Sequence, residues 1–436
     1  MVVAPGRPMQ LVVIVQLLMS NGQDAAAKRR CCVVRPPPRC PRRLEMEQGS
    51  SSRWAFRVRA TIKPFASHAT ETIGSVAFDS SNELMATGGI ARKIRVYDIS
   101  AILDSEEKQQ QDQAADEDDE DGLEDEDEEG RFVSSRRRAR NTFDTDRSSL
   151  SVICAPSRLS SLQWRPGKTG TITCGDYDGV VTEWSVERQI PLVERDEHGG
   201  RHVWSVDYAT GMSDVCVSAS DDGTARVWQG GMERSALTIR APDSKPFCCA
   251  EFDPLSSTLL ALACADGKVY VHDLRRPECP VWTLAHHRRA ASYARFLDRE
   301  RLVTASVDST ICVWDLAAPP APRVVESFSQ HQNVRNFVGL SVWRKGEMVA
   351  CGSETNQAYV YQVGSGGGGG GGGDQSFVLR HQFSSSSWSS STDSSSARRN
   401  SSLASAVCWM EDCSCTLAAA NSEGVLQILS GEFGGV

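Results

Sequence analysis

Residues 203–208 read VWSVDY, a six-residue stretch with apolar side chains at its first, fourth and sixth places and smaller or polar ones between. Such alternation over so short a run describes a half-buried β-strand rather than a helix turn. The pattern returns as IGSVAF at residue 73, LSSLQW at 159, FCCAEF at 247, ASYARF at 291, FVGLSV at 337 and ASAVCW at 404. Four consecutive intervals are 44 to 46 residues long, the length at which four short strands make one repeating unit. The two longer intervals coincide with low-complexity stretches.

A second element follows each copy: TGGIARKIRVYD, CGDYDGVVTEWS, SASDDGTARVWQ, CADGKVYVHD, SASVDSTICVWD, CGSETNQAYVYQ and AANSEGVLQILS. Each is a small or polar turn, often Asp-Gly or a relative of it, leading into an alternating strand that usually ends in Trp or Tyr. Seven such units predict an all-β fold, a seven-bladed WD-repeat β-propeller whose radial closure protects most strand edges. Within the third unit, His198, Ser220, Asp222 and Trp228 read as the hydrogen-bonded set that holds a blade together. WAFRVRATI, residues 54–62, reads as the extra strand that closes the last blade against the first.

The chain of 436 residues, 40% of them hydrophobic, can bury a large core, while 35 Gly and 18 Pro point to tracts outside it. The expected organisation is a disordered, basic and Pro-rich leader over 1–53 and a propeller over 54–436. The propeller is interrupted by an acidic disordered insertion at 101–150, a Gly-rich insertion at 364–376 and a Ser-rich loop at 384–402. The first two fall between third and fourth strands, on the bottom face of a propeller, and the third falls on the opposite, top face. The net charge of −9 is concentrated in ADEDDEDGLEDEDEEG, residues 115–130, and offers no general attraction for nucleic acid. KRRCCVVRPPPRCPRR at 28–43 and RRRAR at 136–140 are either nuclear-import signals or basic disorder. Fifteen cysteines without a regular framework suit reduced thiols, and the apolar run at 9–19 is too short to span a bilayer. A nuclear and cytoplasmic protein that does not engage membranes is expected.

No catalytic constellation emerges. Cys31-Cys32, Cys248-Cys249 and Cys413-x-Cys415 lack the paired spacing and nearby histidines of a zinc site. The glycine run from Gly366 to Gly373 lacks the Lys-Ser/Thr of a phosphate loop and opens no helix, so no cofactor is expected there. His286-His287 reads as the source of a structural blade histidine. The reading is a non-enzymatic binding protein with no metal.

Register comparison exposes candidate contact residues. Trp204 is second in its strand, where the other copies carry Gly74, Ser160, Cys248, Ser292, Val338 and Ser405. Tyr177 occupies a turn slot filled elsewhere by Ile90, Asp221, Ala265, Val307, Glu354 and Ser422. A core requirement common to all blades would not place an indole in one alone, and both positions lie at the top rim. Arg158, His202 and Asn336 stand just before inner strands, with Arg201, Arg289 and Arg335 one residue further back. An aromatic floor ringed by guanidinium groups suits an extended peptide that offers an apolar, proline-containing anchor and acidic residues.

GDYDGVVTEW, ERDEHGGRHVWSVDYA, SASDDGT, NFVGL and ACGSETNQAYVY, quoted as they stand here, closely resemble the plant RUP proteins, repressors of UV-B photomorphogenesis. They are nearly as similar to the WD-repeat domains of the constitutive-photomorphogenesis ubiquitin ligase and its SPA partners. The resemblance covers about residues 70–430. No RING array, heptad coil or kinase-like region precedes the propeller, which fits the short RUP type. The resemblance implies a top face that binds Val-Pro motifs through Arg158, Tyr177, Trp204, Arg289 and Phe337. An extra residue in HGGRHVW leaves open whether Arg201 or His202 meets the ligand. It further implies that the chain binds the UV-B photoreceptor's core and Val-Pro tail, hastens the active monomer's return to the inactive dimer, and competes with the ubiquitin ligase. Two alternatives are a substrate receptor delivering transcription factors to a cullin-RING ligase and a chromatin or nucleic-acid scaffold. For the first, VWDLA and VWQGG lack the final Arg of the adaptor signature, and only Asp273 and Arg275 of VHDLRR come near it.

Overall fold

Short strands of alternating burial cannot stand alone, and in the computed structural model each repeat pairs its four strands antiparallel into one blade of a seven-bladed propeller. Residues 53–64, 71–104, 142–212, 214–256, 258–364, 377–383, 402–411 and 414–434 are described. The leader over 1–52, the apolar run at 9–19, both basic tracts, the acidic run, the glycine run over 365–376 and the serine stretch 384–401 lie outside the described residues. The inner strands, which line a central channel of about 450 Å³, are Ile73–Phe78, Leu159–Trp164, Val203–Tyr208, Phe247–Phe252, Ala291–Phe296, Leu340–Trp343 and Ala404–Trp409.

The apolar core lies between blades. One cluster joins Val217, Val227 and Ile239 of blade three to Phe247, Leu260 and Leu262 of blade four, and similar clusters fill the seams from blade four round to blade two. The seam between blades two and three differs. Its apolar groups are small, Val181 with Val203 and Val206, and Tyr208 with Cys216 and Trp228. Beside them lies an ionic set in which buried Glu183 accepts from Arg195 at 2.6 Å and from Arg165 at 3.0 Å. Arg195 is fully buried, and its guanidinium lies over the Trp228 ring at 5.7 Å.

Within blade three the structural set is present with one correction. His198 bonds Asp222 through Nδ1 at 2.9 Å and Ser218 through Nε2 at 2.8 Å, and Trp228 Nε1 donates to the same Ser218 hydroxyl at 2.8 Å. The serine of the set is therefore Ser218, not Ser220. Ser220 lies one strand-period further along, at the top turn, where its hydroxyl donates to the Arg201 carbonyl. Blade five repeats the arrangement with His287, Thr304 and Trp314, so the histidine pair does supply a structural blade histidine.

The seventh blade closes the ring. Arg53–Lys63 pairs antiparallel with Leu426–Gly434, as the alternation in residues 54–62 predicts. A further strand, Thr142–Asp144, pairs parallel with Thr61–Lys63 and makes this sheet five-stranded. The expectation of an insertion running unbroken over 101–150 is corrected at both ends. Residues 99–104 form a short helix at the bottom, and the chain returns along the outer edge of blade seven, toward its top, before entering Ser151–Cys154 of blade one. Buried Arg95 fixes this return, donating to Asp146 at 3.1 Å and to Glu71, just before the first inner strand, at 3.0 Å. That pairing offsets the cost of removing its charge from water.

Each inner strand leaves one edge facing the channel, and its backbone groups need partners. They find them on the neighbouring blade. Ser75, Ser161, Asp207, Glu251 and Ser341 accept the backbone N–H of Leu162, Val206, Phe252, Phe296 and Trp409, while Arg295 donates to the Leu340 carbonyl and Ser405 to that of Ile73. Every pair of adjacent blades is thus stapled. Burial pushes the Glu251 carboxyl up to about 7, opposed by Arg295 and Arg344, and pushes channel-facing Asp207 up to about 6.

Two outcomes follow from this arrangement. Replacing 105–141 by a Gly-Ser linker of about 12 residues, with a reach of roughly 40 Å, should leave the melting temperature unchanged. Extending the deletion through 147 should lower it, because Thr142–Asp144 and Asp146 go with it. For Glu251, a folded-state pKa above the unfolded value means that the native state holds the proton more tightly, so stability should fall as pH rises from about 4.5 to 7. Glu251→Gln keeps an acceptor for Phe296 and should flatten that fall in thermal melts between pH 5 and 8. A variant that melts lower by the same margin at every pH would contradict this.

Candidate functional site

The top of the ring carries the turns between second and third strands and the loops that lead into inner strands. There the structure gathers four aromatic groups from three blades. Trp204 and Phe337 meet with ring centroids 4.7 Å apart, and Tyr177 lies edge-on to Trp204 at 5.8 Å. The His202 ring sits 4.6 Å from Tyr177 and 5.4 Å from Trp204. All four are partly exposed. Blades three and six stand on opposite sides of the ring, so the Trp204–Phe337 contact crosses the mouth of the channel.

Local chemistry explains each placement. Tyr177 sits in the Asp176–Gly179 turn, where Asp176 accepts the N–H groups of Asp178 and Val180 and Gly179 adopts a φ of +88°. A Cβ on Gly179 would come within 2.8 Å of the Arg201 carbonyl, so this turn packs directly against the loop that carries His202. The hydroxyl of Tyr177 is pushed up by burial, with Arg158 pulling the other way. Trp204 donates its Nε1–H to Asp221 at 2.5 Å.

Phe337 arrives differently from the expectation. The repeat pattern puts it first in an inner strand, yet the strand of blade six begins only at Leu340. Gly339, at φ +78°, turns the backbone, and a Cβ there would meet the Val407 N–H region at 2.8 Å. Residues 333–339 therefore form an arm that carries Phe337 over the channel. Phe247, at the same register position in a regular strand, is buried in the core.

The cationic residues border this floor. Arg158 and Arg201 are exposed beside the Tyr177 and His202 turns, and of the pair left open by sequence it is the His202 ring that joins the aromatic group. Arg289 is exposed but not idle, since its Nη1 donates to the Val334 carbonyl at 3.0 Å and so ties blade five's entry loop to the Phe337 arm. Asp273 and Arg275 lie on the opposite face, with the Arg275 guanidinium turned back onto its own turn through bonds of 2.6–3.0 Å to Asp273.

Tyr293 escaped the register argument although the signal was present. It is third in its inner strand, where the others carry Ser75, Ser161, Ser205, Cys249, Gly339 and Ala406. Its ring stands perpendicular to Phe337 at 5.9 Å, and its hydroxyl accepts the Gly339 N–H at 3.2 Å. It lies beneath the floor and supports it. Among the described residues no group of three or more His, Cys, Asp or Glu side chains is placed to hold a metal ion.

Comparison with known proteins agrees with this architecture. The family model for the WD domain, G-beta repeat, matches residues 59–98, 190–229 and 278–315. WD repeat-containing protein RUP1 of Arabidopsis thaliana is 41% identical over 71% of this chain and 71% of its own length. WD repeat-containing protein RUP2 of the same plant is 37% identical over 84% of this chain and 89% of its own. The E3 ubiquitin-protein ligase COP1 of Arabidopsis thaliana is 32% identical over 83% of this chain, which spans 45% of that protein.

The two tryptophans of blade three should separate in a thermal melt. Trp228→Ala removes a fully buried indole and should cost about 3–5 kcal/mol, whereas Trp204→Ala, at the half-open mouth, should leave the melting temperature close to the parent's. Equal losses would make Trp204 a core residue.

Proposed function

The chain belongs to the RUP family of WD-repeat proteins, and from that premise we propose that it is a non-enzymatic negative regulator of UV-B photoreceptor signalling. It acts by binding, in the setting of the COP1 and SPA relatives. The observation that carries the reading is the contact of two half-exposed aromatic rings, Trp204 and Phe337, inside a border of guanidinium groups. Flat apolar rings offer a proline-containing anchor a surface to stack on, and arginines pair with acids flanking it. A Val-Pro segment of the photoreceptor is the ligand that fits this chemistry.

Two consequences rest on likeness to relatives. A pocket shared in kind with the ubiquitin ligase would let the protein compete for one motif, and contact with the photoreceptor's core would hasten return of the active monomer to the inactive dimer. Action in both nucleus and cytoplasm is part of the same proposal.

A calorimetric titration with a photoreceptor Val-Pro peptide tests it. Trp204→Ala should weaken binding by about 30- to 1000-fold, the loss of a hot spot worth roughly 2–4 kcal/mol. Replacing Arg158 or Arg289 should weaken it less, and that loss should shrink as salt rises, because rim charges are screened. A Trp204→Ala protein that is folded and binds as well as the parent would falsify the reading.

A further inference from the structure

The aromatic pair at the channel mouth is held from behind by two carboxylates. In the turn slot between second and third strands, acids occur in blades three and six alone, as Asp221 and Glu354. These are the blades that supply Trp204 and Phe337. Asp221 accepts the Trp204 Nε1–H at 2.5 Å, and its other oxygen lies 3.6 Å from Nδ1 of His202. Glu354 Oε1 accepts the backbone N–H of Arg335 at 2.7 Å, and the backbone N–H and side-chain amide of Asn336, both at 2.9 Å. The backbone amides of Val334, Arg335 and Asn336 hold its carboxyl below the usual carboxylate range.

Consecutive amides in a turn form a concave seat for an anion. The Phe337 arm has such a seat, and the chain fills it with its own carboxylate. The rings around Trp204 restrict its position but tolerate tilting, whereas a hydrogen bond has a direction, so the bond behind the indole sets its plane. We propose that Asp221 and Glu354 are the positioning residues of the top-face site, fixing the Trp204 plane and the Phe337 arm without touching the ligand. This rests on the reading that a peptide binds there. It also explains how two acids sit in a site suited to an acidic partner. Both are consumed internally, so Arg158, Arg201 and Arg289 face the ligand.

The test compares Glu354→Ala with Glu354→Gln and Asp221→Ala with Asp221→Asn, because the amides keep an acceptor oxygen and lose the charge. Hydrogen exchange over 333–339 should quicken in Glu354→Ala and stay slow in Glu354→Gln. The indole N–H resonance of Trp204, assigned with Trp204→Phe, should move in Asp221→Ala and hold in Asp221→Asn. Affinity for the Val-Pro peptide should drop about 10-fold in each Ala variant and about 3-fold or less in each amide variant. Unchanged exchange in Glu354→Ala, an unmoved resonance in Asp221→Ala, or amide variants as weak as the alanines would overturn the proposal. Exchange and resonance need no peptide, so they decide the positioning role even where the parent fails to bind, a result that overturns the functional reading alone.

Discussion

The open inner edge of each blade is the constraint on which the structure depends. Seven first strands face a common channel, and none can complete its own hydrogen bonding on that side. Each blade answers with a side chain of its inner segment, from the third or fifth place of the repeated pattern in blades one to six and from the second, Ser405, in blade seven, reaching the backbone next door. The chemistry varies from Ser75 through Asp207 and Glu251 to Arg295 and Ser405, but the task is the same. In blades three and six the staple comes from Asp207 and Ser341, the fifth places of the repeated pattern, so the residues nearer the top of those two blades are free of that task. Trp204 and the Phe337 arm occupy that freedom.

The aromatic floor also sits on an unusual seam. Tyr177 belongs to blade two and Trp204 to blade three, and beneath them Arg165 and Arg195, both held by Glu183, reach across to Asp214 and to the Met232 carbonyl, where other seams have a continuous apolar layer. Apolar contacts tolerate sliding, whereas charge-assisted bonds prescribe direction. The angle between these blades, and with it the spacing of Tyr177 and Trp204, is therefore set by directional bonds. On the far side of the mouth Arg289, Tyr293 and Glu354 do the same for Phe337.

Much of this was legible in the sequence. The interval near 44 residues marks the blades, the alternation in 54–62 marks the closing strand, and the singular Trp204 and Tyr177 stand out because seven near-copies of one register supply their own control. The same comparison at the third position would have found Tyr293. What could not be read depends on geometry between repeats. Ser218 and Ser220 share a strand face, so alternation does not choose between them, and only the distance to His198 does. The arm at 333–339 hides in a pattern that imitates a strand until Gly339 turns it. Thr142–Asp144 is too short to signal itself beside a run of charge, and it becomes a strand because Arg53–Lys63 offers it an edge.

The closing sheet joins residues more than 360 positions apart, with Ile62 opposite Leu426 and Arg53 opposite Gly434. During synthesis Arg53–Lys63 is thus made long before its antiparallel mate. Its apolar side chains and unpaired amides must wait while seven blades' worth of chain leaves the ribosome, a long exposure for an edge strand. A chain broken off before Leu426–Gly434 would leave Arg53–Lys63 without its antiparallel mate.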